Sequence, residues 1–249
     1  MTPRIRLGLF LAALAGFLAL LVWGLTGLPD FGDFRGAYGR ALNGRTQPER
    51  HVTNVPTAVN FDYRALDTLG EEFILFAAAV GIAVVVRFRR NEEERPVEDP
   101  DARLGEPSDA LRAAGVILVG PLLVLGFYIV AHGHLTPGGG FQGGVLLAGA
   151  LLFVYLAGAY TTLRRASPWL MIEVGESVGA GGYALLGLAG LLGASAYFAN
   201  LVPLGPLGTV QAGGTIPLAN LVVGLEVAAA FTIVFSELLD RSLVVRERR

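Results

Sequence analysis

Few side chains in this sequence could carry chemistry, and the most telling of them is an acid in apolar surroundings. Glu226 lies near the middle of an apolar stretch, residues 218–239, with Val222, Val223, Ala229 and Ala230 at its helical neighbours. An ionisable group at such depth in a membrane segment is expensive and faces a bundle interior, a partner or water. Such a carboxyl can bind and release protons or cations, or it can stay neutral and tie two helices together by hydrogen bonds; the sequence leaves both readings open. Glu237, eleven residues on, falls on the same helix face nearer the inner end. Glu173 and Glu176, three residues apart at the inner end of the stretch 170–199, share nearly one face, either solvated or part of an inner vestibule.

His132 and His134 stand two apart, and His51 is the only other histidine. Without nearby acids or cysteines they make a poor metal site, which usually takes three or four ligands, so no metal is expected. His134 either relays protons, because an unperturbed imidazole changes charge near neutrality, or hydrogen-bonds at an interface. The chain has no cysteine and no lysine, which removes thiol chemistry and a P-loop. Its one G-x-S-x-G match, Gly175 to Gly179, lies inside an apolar run with no histidine near it in sequence, and there is no H-E-x-x-H, so neither a catalytic residue nor a cofactor is expected. No basic patch points to nucleic acid.

These residues need elements to hold them, and the composition says of what kind. Apolar residues make up 53% of the 249, and the mean hydropathy is +0.56, as in integral membrane proteins. Spanning helices need ~20 mainly apolar residues, and six stretches approach that: 7–28, 69–86, 113–131, 141–163, 170–199 and 218–239. The runs are continuous rather than alternating, which excludes a barrel, so the expected fold class is all-α, a polytopic membrane protein of about six transmembrane helices. With both termini in the cytoplasm, fourteen of the nineteen arginines fall inside and five, all in 29–68, fall outside, as the positive-inside rule prefers. A cleaved signal peptide is the alternative for the first stretch; its apolar run is longer than a typical h-region, and no small-x-small site closes it.

The chain divides at 89–112, "RRNEEERPVEDPDARLGEPSDALR", whose acids and prolines suit a cytoplasmic linker. Residues 1–88 then form a two-helix module with a long outer loop, and 113–249 a four-helix module with short, glycine-rich loops. No internal repeat suggests an inverted-repeat transporter. In the second module, "HGHLTPGGGFQGG" interrupts two apolar runs with six glycines and a proline. Pro137 and Gly138 to Gly140 cannot continue a helix. Irregular backbone near a membrane must be satisfied by protein or a wet cavity, so this loop is expected to pack on protein partners. Gly143 and Gly144 give the helix after it a small-residue face, and Gly175 and Gly179 do the same for the fifth.

"GHLTPGGGFQGG" followed by an apolar helix resembles the signature of the B subunit of Mrp-type multisubunit sodium/proton antiporters, and "IPLANLVVGLEVAAAF", 216–231, is similar to the last helix of that subunit. The resemblance covers about residues 110–240. Upstream, "TNVPTAVNFDYRALDTLGEE", Thr53 to Glu72, resembles the C-terminal end of the large A subunit of the same complexes, and a separate subunit of membrane-bound hydrogenases. Pro56 departs from that pattern, where an apolar residue is expected. Asp67 and Thr68 are expected to cap the second helix, leaving Glu71 and Glu72 in its first turn, where the dipole favours acids; alternatively Glu71 faces an ion or proton path.

The resemblance implies a non-catalytic subunit in the cytoplasmic (cell inner) membrane, with other antiporter subunits and the bilayer as partners. It casts Gly133, Pro137, Gly138, Gly139, Gly140, Phe141, Gly143 and Gly144 as an assembly loop. A hydrogenase-type respiratory complex is the related alternative. An autonomous transporter or channel is the alternative of another class, disfavoured because only one ionisable side chain is expected deep in the membrane. If the linker is only a tether, halves divided between Glu98 and Ser108 and expressed together are expected to support the transport of the intact chain; loss of transport with both halves inserted would give the covalent connection a role.

Overall fold

The computed structural model describes residues 3–28, 32, 36–90, 107–158, 160–194 and 196–245. It is all-helical in its regular elements, and six helices are long and apolar enough to cross a membrane. The linker expected at 89–112 lies mostly outside the described residues. Two compact units form, Met1–Ala41 and Leu42–Arg249. In the first, α1 (Pro3–Thr26) is apolar and exposed along its length. The candidate site lies wholly in the second.

The second unit is built around its last helix, α9 (Ile216–Val245). More than half of that helix's membrane-length stretch, 56%, is buried, against 0% for α1, so α9 is the hub. Around it pack α4 (Ala65–Arg90), α6 (Gly140–Gly158) and α8 (Trp169–Ala194), while α5 (Asp109–Ala131) pairs with α6. Ser108 caps α5 by accepting from the Leu111 amide at 3.3 Å. Small residues bring the helices together: a Cβ added at Gly144 would sit 2.7 Å from Val227 Cβ, and one at Gly179 2.5 Å from Glu226 Cβ.

Several elements differ from expectation. Within the stretch read as an outer loop, α2 (Ala37–Arg50) forms, its polar faces outward and Leu42 and Thr46 buried. The fifth stretch stops as a helix at Ala194, because the chain doubles back: Phe198 donates from its amide to Gly187 O at 3.2 Å, and its ring packs on Tyr183. What presses on the glycines of α8 is therefore this return and the body of α9. The fourth ends at Gly158, followed by α7 (Tyr160–Ala166).

The start of α4 corrects another expectation. A short helical turn, α3 (Val55–Ala58), accommodates Pro56 in its first turn, where a missing amide hydrogen costs nothing. It runs into a π-helical turn at Val59–Tyr63, and α4 begins at Ala65, ahead of the expected caps. Thr68 caps nothing: its hydroxyl donates to Asn60 O at 2.8 Å, and the Tyr183 hydroxyl donates to Ala65 O at 3.1 Å. Both bonds tie side chains to backbone carbonyls at the join between the wide turn and α4. Asp67 pairs with Arg64.

The glycine loop finds hydrogen-bond partners within this chain. Asn54 Nδ2 donates to the carbonyls of Gly133, Thr136 and Gly138 at 2.6, 2.9 and 3.3 Å. Thr57 Oγ1 donates to Gly133 O at 2.7 Å, and the amides of Thr53 and Asn54 both reach His134 O at 3.2 Å. From the other side Asn220 Oδ1 accepts from the Gly140 amide at 2.8 Å. Gly138 and Gly139 have φ of 139° and 154°, which side chains rarely adopt, and a Cβ on Gly140 would strike the Asn220 carbonyl. Removing the Asn54 side chain takes the donor from the half-buried Thr136 and Gly138 carbonyls and leaves Gly133 O to Thr57, at about 1 kcal/mol per lost bond. Asn54→Ala and Gly140→Val are each expected to lower the thermal midpoint of the purified chain in mild detergent; an unchanged midpoint in both would show that the joint contributes nothing.

Candidate functional site

Among the described residues four carboxyls are buried: Glu72 in α4, Glu176 in α8, and Glu226 and Glu237 in α9. More than one acid is thus deep, contrary to expectation. Glu226 is 0% exposed, because Gly179 lets the α8 backbone close over it and α9 is covered on its other sides. Neither of its oxygens has a hydrogen-bond partner among the described residues, and the same holds for Glu72 Oε2 and Glu176 Oε1. The charged groups that act on Glu226 are Glu72 and Glu176, both acids. Among the described residues no arginine acts on Glu226.

Two cavities flank this centre. One, of about 300 Å³, is lined by Asn60, Thr68, Glu71, Glu72, Gln142 and the glycines of the loop, among others. The other, of about 310 Å³, lies toward the far end of α4 and α8 and presents Glu173, Glu176 and Ser177 among apolar side chains. Of each acidic pair, one member is exposed and one buried: Glu71 and Glu173 face outward, Glu72 and Glu176 inward. Sequence reasoning chose Glu71 and left Glu72 as a helix-dipole residue. The missed signal was the length of the turn before α4, which sets the helix's rotation. Glu237 is buried further along α9, engaged in a polar interaction of its own, and lines neither cavity.

The structure separates His134 from the acids. Its ring is buried, with Nε2 donating toward Thr209 O at 3.4 Å and Nδ1 unpartnered. Burial holds its pKa below the ordinary histidine value, with the nearby His132 acting the same way and the carbonyls of Thr209 and Val210 opposing. His132 stacks on Tyr128, with ring centres 4.3 Å apart. No group of three or more metal-ligating side chains occurs among the described residues. Nearby, Arg50 Nε donates to Asp62 at 2.6 Å and Tyr63 donates to Glu49 at 3.0 Å. Burial alone would lower the Arg50 pKa, but the bond to Asp62 and its charge raise it.

The chain's kinship agrees with this arrangement. Residues 110–233 match the family described as a domain related to the MnhB subunit of the Na+/H+ antiporter. An uncharacterised protein of Methanocaldococcus jannaschii is 32% identical over 198 residues, 73% of this chain and 75% of that protein. The chain belongs to the MnhB-related family. Among solved structures, a chain of the membrane-bound sulfane sulfur reductase, an archaeal respiratory membrane complex, is 31% identical with a TM-score of 0.71 over 96% of this chain and 99% of that one. A chain of the Mrp complex from Dietzia sp. shares the fold, with a TM-score of 0.70 and 24% identity, over 96% of this chain and 26% of that one. The MnhB-related region includes the glycine loop, Glu176 and Glu226, while Glu72 lies before it.

Since His134 is held neutral when folded, protonation favours the unfolded loop. Stability from this residue is present above the unfolded histidine pKa, ~6.5, and falls as pH drops from there toward the lower folded value. Thermal melts between about pH 7.5 and 5 are expected to show that fall in the wild-type chain and a smaller one in His134→Gln. Equal slopes would remove His134 as its source.

Proposed function

We propose that this chain is a non-catalytic membrane subunit of a multisubunit cation/proton antiporter, sited in the cytoplasmic membrane with both termini inside. The observation that carries the reading is the match of residues 110–233 to the MnhB-related family. Sodium is the cation that the family description names. In this reading the buried acids belong to the ion or proton path, with Glu226 at its centre, Glu71, Glu173 and Glu176 on its approaches, and Glu237 further along the same helix, outside both cavities. His134 serves the loop's packing instead.

The division into residues 1–88, a linker at 89–112 and 113–249 reads as a fusion of an A-subunit tail with a B subunit. Consistent with that origin, the two parts meet through Asn54, Thr57 and the glycine loop, as separate polypeptides of one complex would. The loop keeps an outward side for further subunits, since Pro137 is exposed and Phe141 is 47% exposed. A second reading has a specific observation behind it: the 31% identical chain over 99% of its length belongs to a respiratory complex. In that setting the same subunit would couple ion movement to electron transfer carried out by other chains.

Affinity purification in mild detergent from the native host separates the readings. Antiporter-type membrane chains are expected to co-purify, and inverted vesicles lacking the gene are expected to lose cation-driven proton flux. Iron-sulfur subunits among the co-purifying chains would assign the respiratory complex; recovery of the chain alone would overturn both.

A further inference from the structure

We propose that Glu72, Glu226 and Glu176 form a proton pathway through the body of this subunit, joining the cavity beneath the glycine loop to the cavity between α4 and α8. The proposal rests on the reading that the chain works in an ion-translocating complex, and adds the species moved and the order of groups that move it.

The order comes from geometry. Glu72 lines the first cavity and Glu176 the second, and Glu226 lines neither. Yet Glu226 is the group on which both of the others act, one from α4 and one from α8. Glu71 acts on Glu72 from the same helix, and Glu173 on Glu176, so each cavity ends in an exposed acid followed by a buried one. Tyr183 of α8 also feels Glu72, and its hydroxyl is held by Ala65 O. By geometry neither oxygen of Glu226 is committed to a hydrogen bond among the described residues, and the side chain placed to form one with it is Glu72.

The species comes from what surrounds the centre. An alkali cation that sheds its water needs a ring of oxygen ligands in return. Along α9 the helical neighbours of Glu226 are Val222, Val223 and Ala230, and α8 approaches it at Gly179, so apart from the acids of the triad these positions offer a cation no side-chain oxygen. A proton needs only the carboxyl oxygens. Two acids facing each other away from any base are stabilised by sharing one. In the forward step an O–H bond of Glu72 breaks as one forms on the Glu226 carboxylate; a second transfer breaks that bond as one forms on Glu176. The triad begins and ends with one proton, taken from one cavity and released to the other, and no oxidant or co-reactant is required.

The test uses the whole purified complex carrying Glu72→Gln, Glu176→Gln, Glu226→Gln or Glu226→Asp, with the exposed Glu49→Gln as control. Glutamine keeps shape while removing titration, and aspartate keeps titration. Each glutamine variant is expected to co-purify with the same subunits as wild type but to lose proton flux by about tenfold or more, as loss of a buried relay acid does. Double variants are expected to fall no further than single ones, as groups in series behave. Glu226→Asp is expected to retain part of the flux, and equilibrium binding of radioactive sodium is expected to stay unchanged throughout.

Difference infrared spectroscopy of the same samples supplies a readout that needs no transport. A buried carboxylic-acid band is expected in wild type, absent in Glu226→Gln and shifted in Glu72→Gln and Glu176→Gln. Normal flux in an assembled Glu226→Gln complex overturns the pathway, as does sodium binding lost with Glu226 or a spectrum none of the variants changes. A wild-type complex with no cation-driven flux at all would instead count against the antiporter reading, leaving the spectrum to judge the proton-sharing triad.

Discussion

The structure depends on one constraint: backbone that leaves the helix near a membrane must find its hydrogen-bond partners inside protein. The glycine loop between α5 and α6 breaks the helical ladder, and the Asn54 side chain answers by donating to three of its carbonyls. Asn220 accepts from the amide that opens α6. These two asparagines reach the loop from opposite directions, one from the segment before α4 and one from the hub helix. They therefore fix not only the loop but the placement of α4 and α6 around α9. The depth at which Glu72 and Glu226 meet follows from that placement. Glycines are needed where α6 meets α9 because any side chain would separate the amide from its acceptor.

Much of the fold was legible in the sequence. Six apolar stretches correspond to the six membrane-length helices, since hydrophobic length alone decides that question. Helix ends were less legible where tertiary contacts set them. The fifth stretch reads as apolar through Ala199, but the helix stops at Ala194 because the Tyr197–Phe198 pair folds back onto α8. Nothing local in hydropathy separates an apolar residue that continues a helix from one that packs against it. The polar helix α2 was missed because its apolar contacts are few and an amphipathic segment of that length reads as a loop.

The site was legible in part. Glu226 announces itself through its depth, and Glu176 was within reach as one of a spaced pair. Glu72 was not, because choosing between adjacent acids requires knowing the helix's rotation, and that is set by an irregular turn upstream. The loop motif was recognisable, yet its partners were expected in other chains. Sequence shows that such a loop must be covered, and it cannot show whether the cover is covalently attached. Here the cover is Asn54 and Thr57 of the same polypeptide.

The π-helical turn at Val59–Tyr63 works as a phase adjuster. A π turn holds one residue more than the α-helical turn it replaces, and each residue advances a helix by about 100°. Deleting one residue from this turn would leave the composition and hydropathy of α4 untouched while turning the helix like a dial, carrying Glu72 out of the interior. Chains that differ only by one residue between Asn54 and Arg64 would thus present different acids to the same cavity, and an alignment that absorbs that residue as a harmless gap would pair the wrong glutamates.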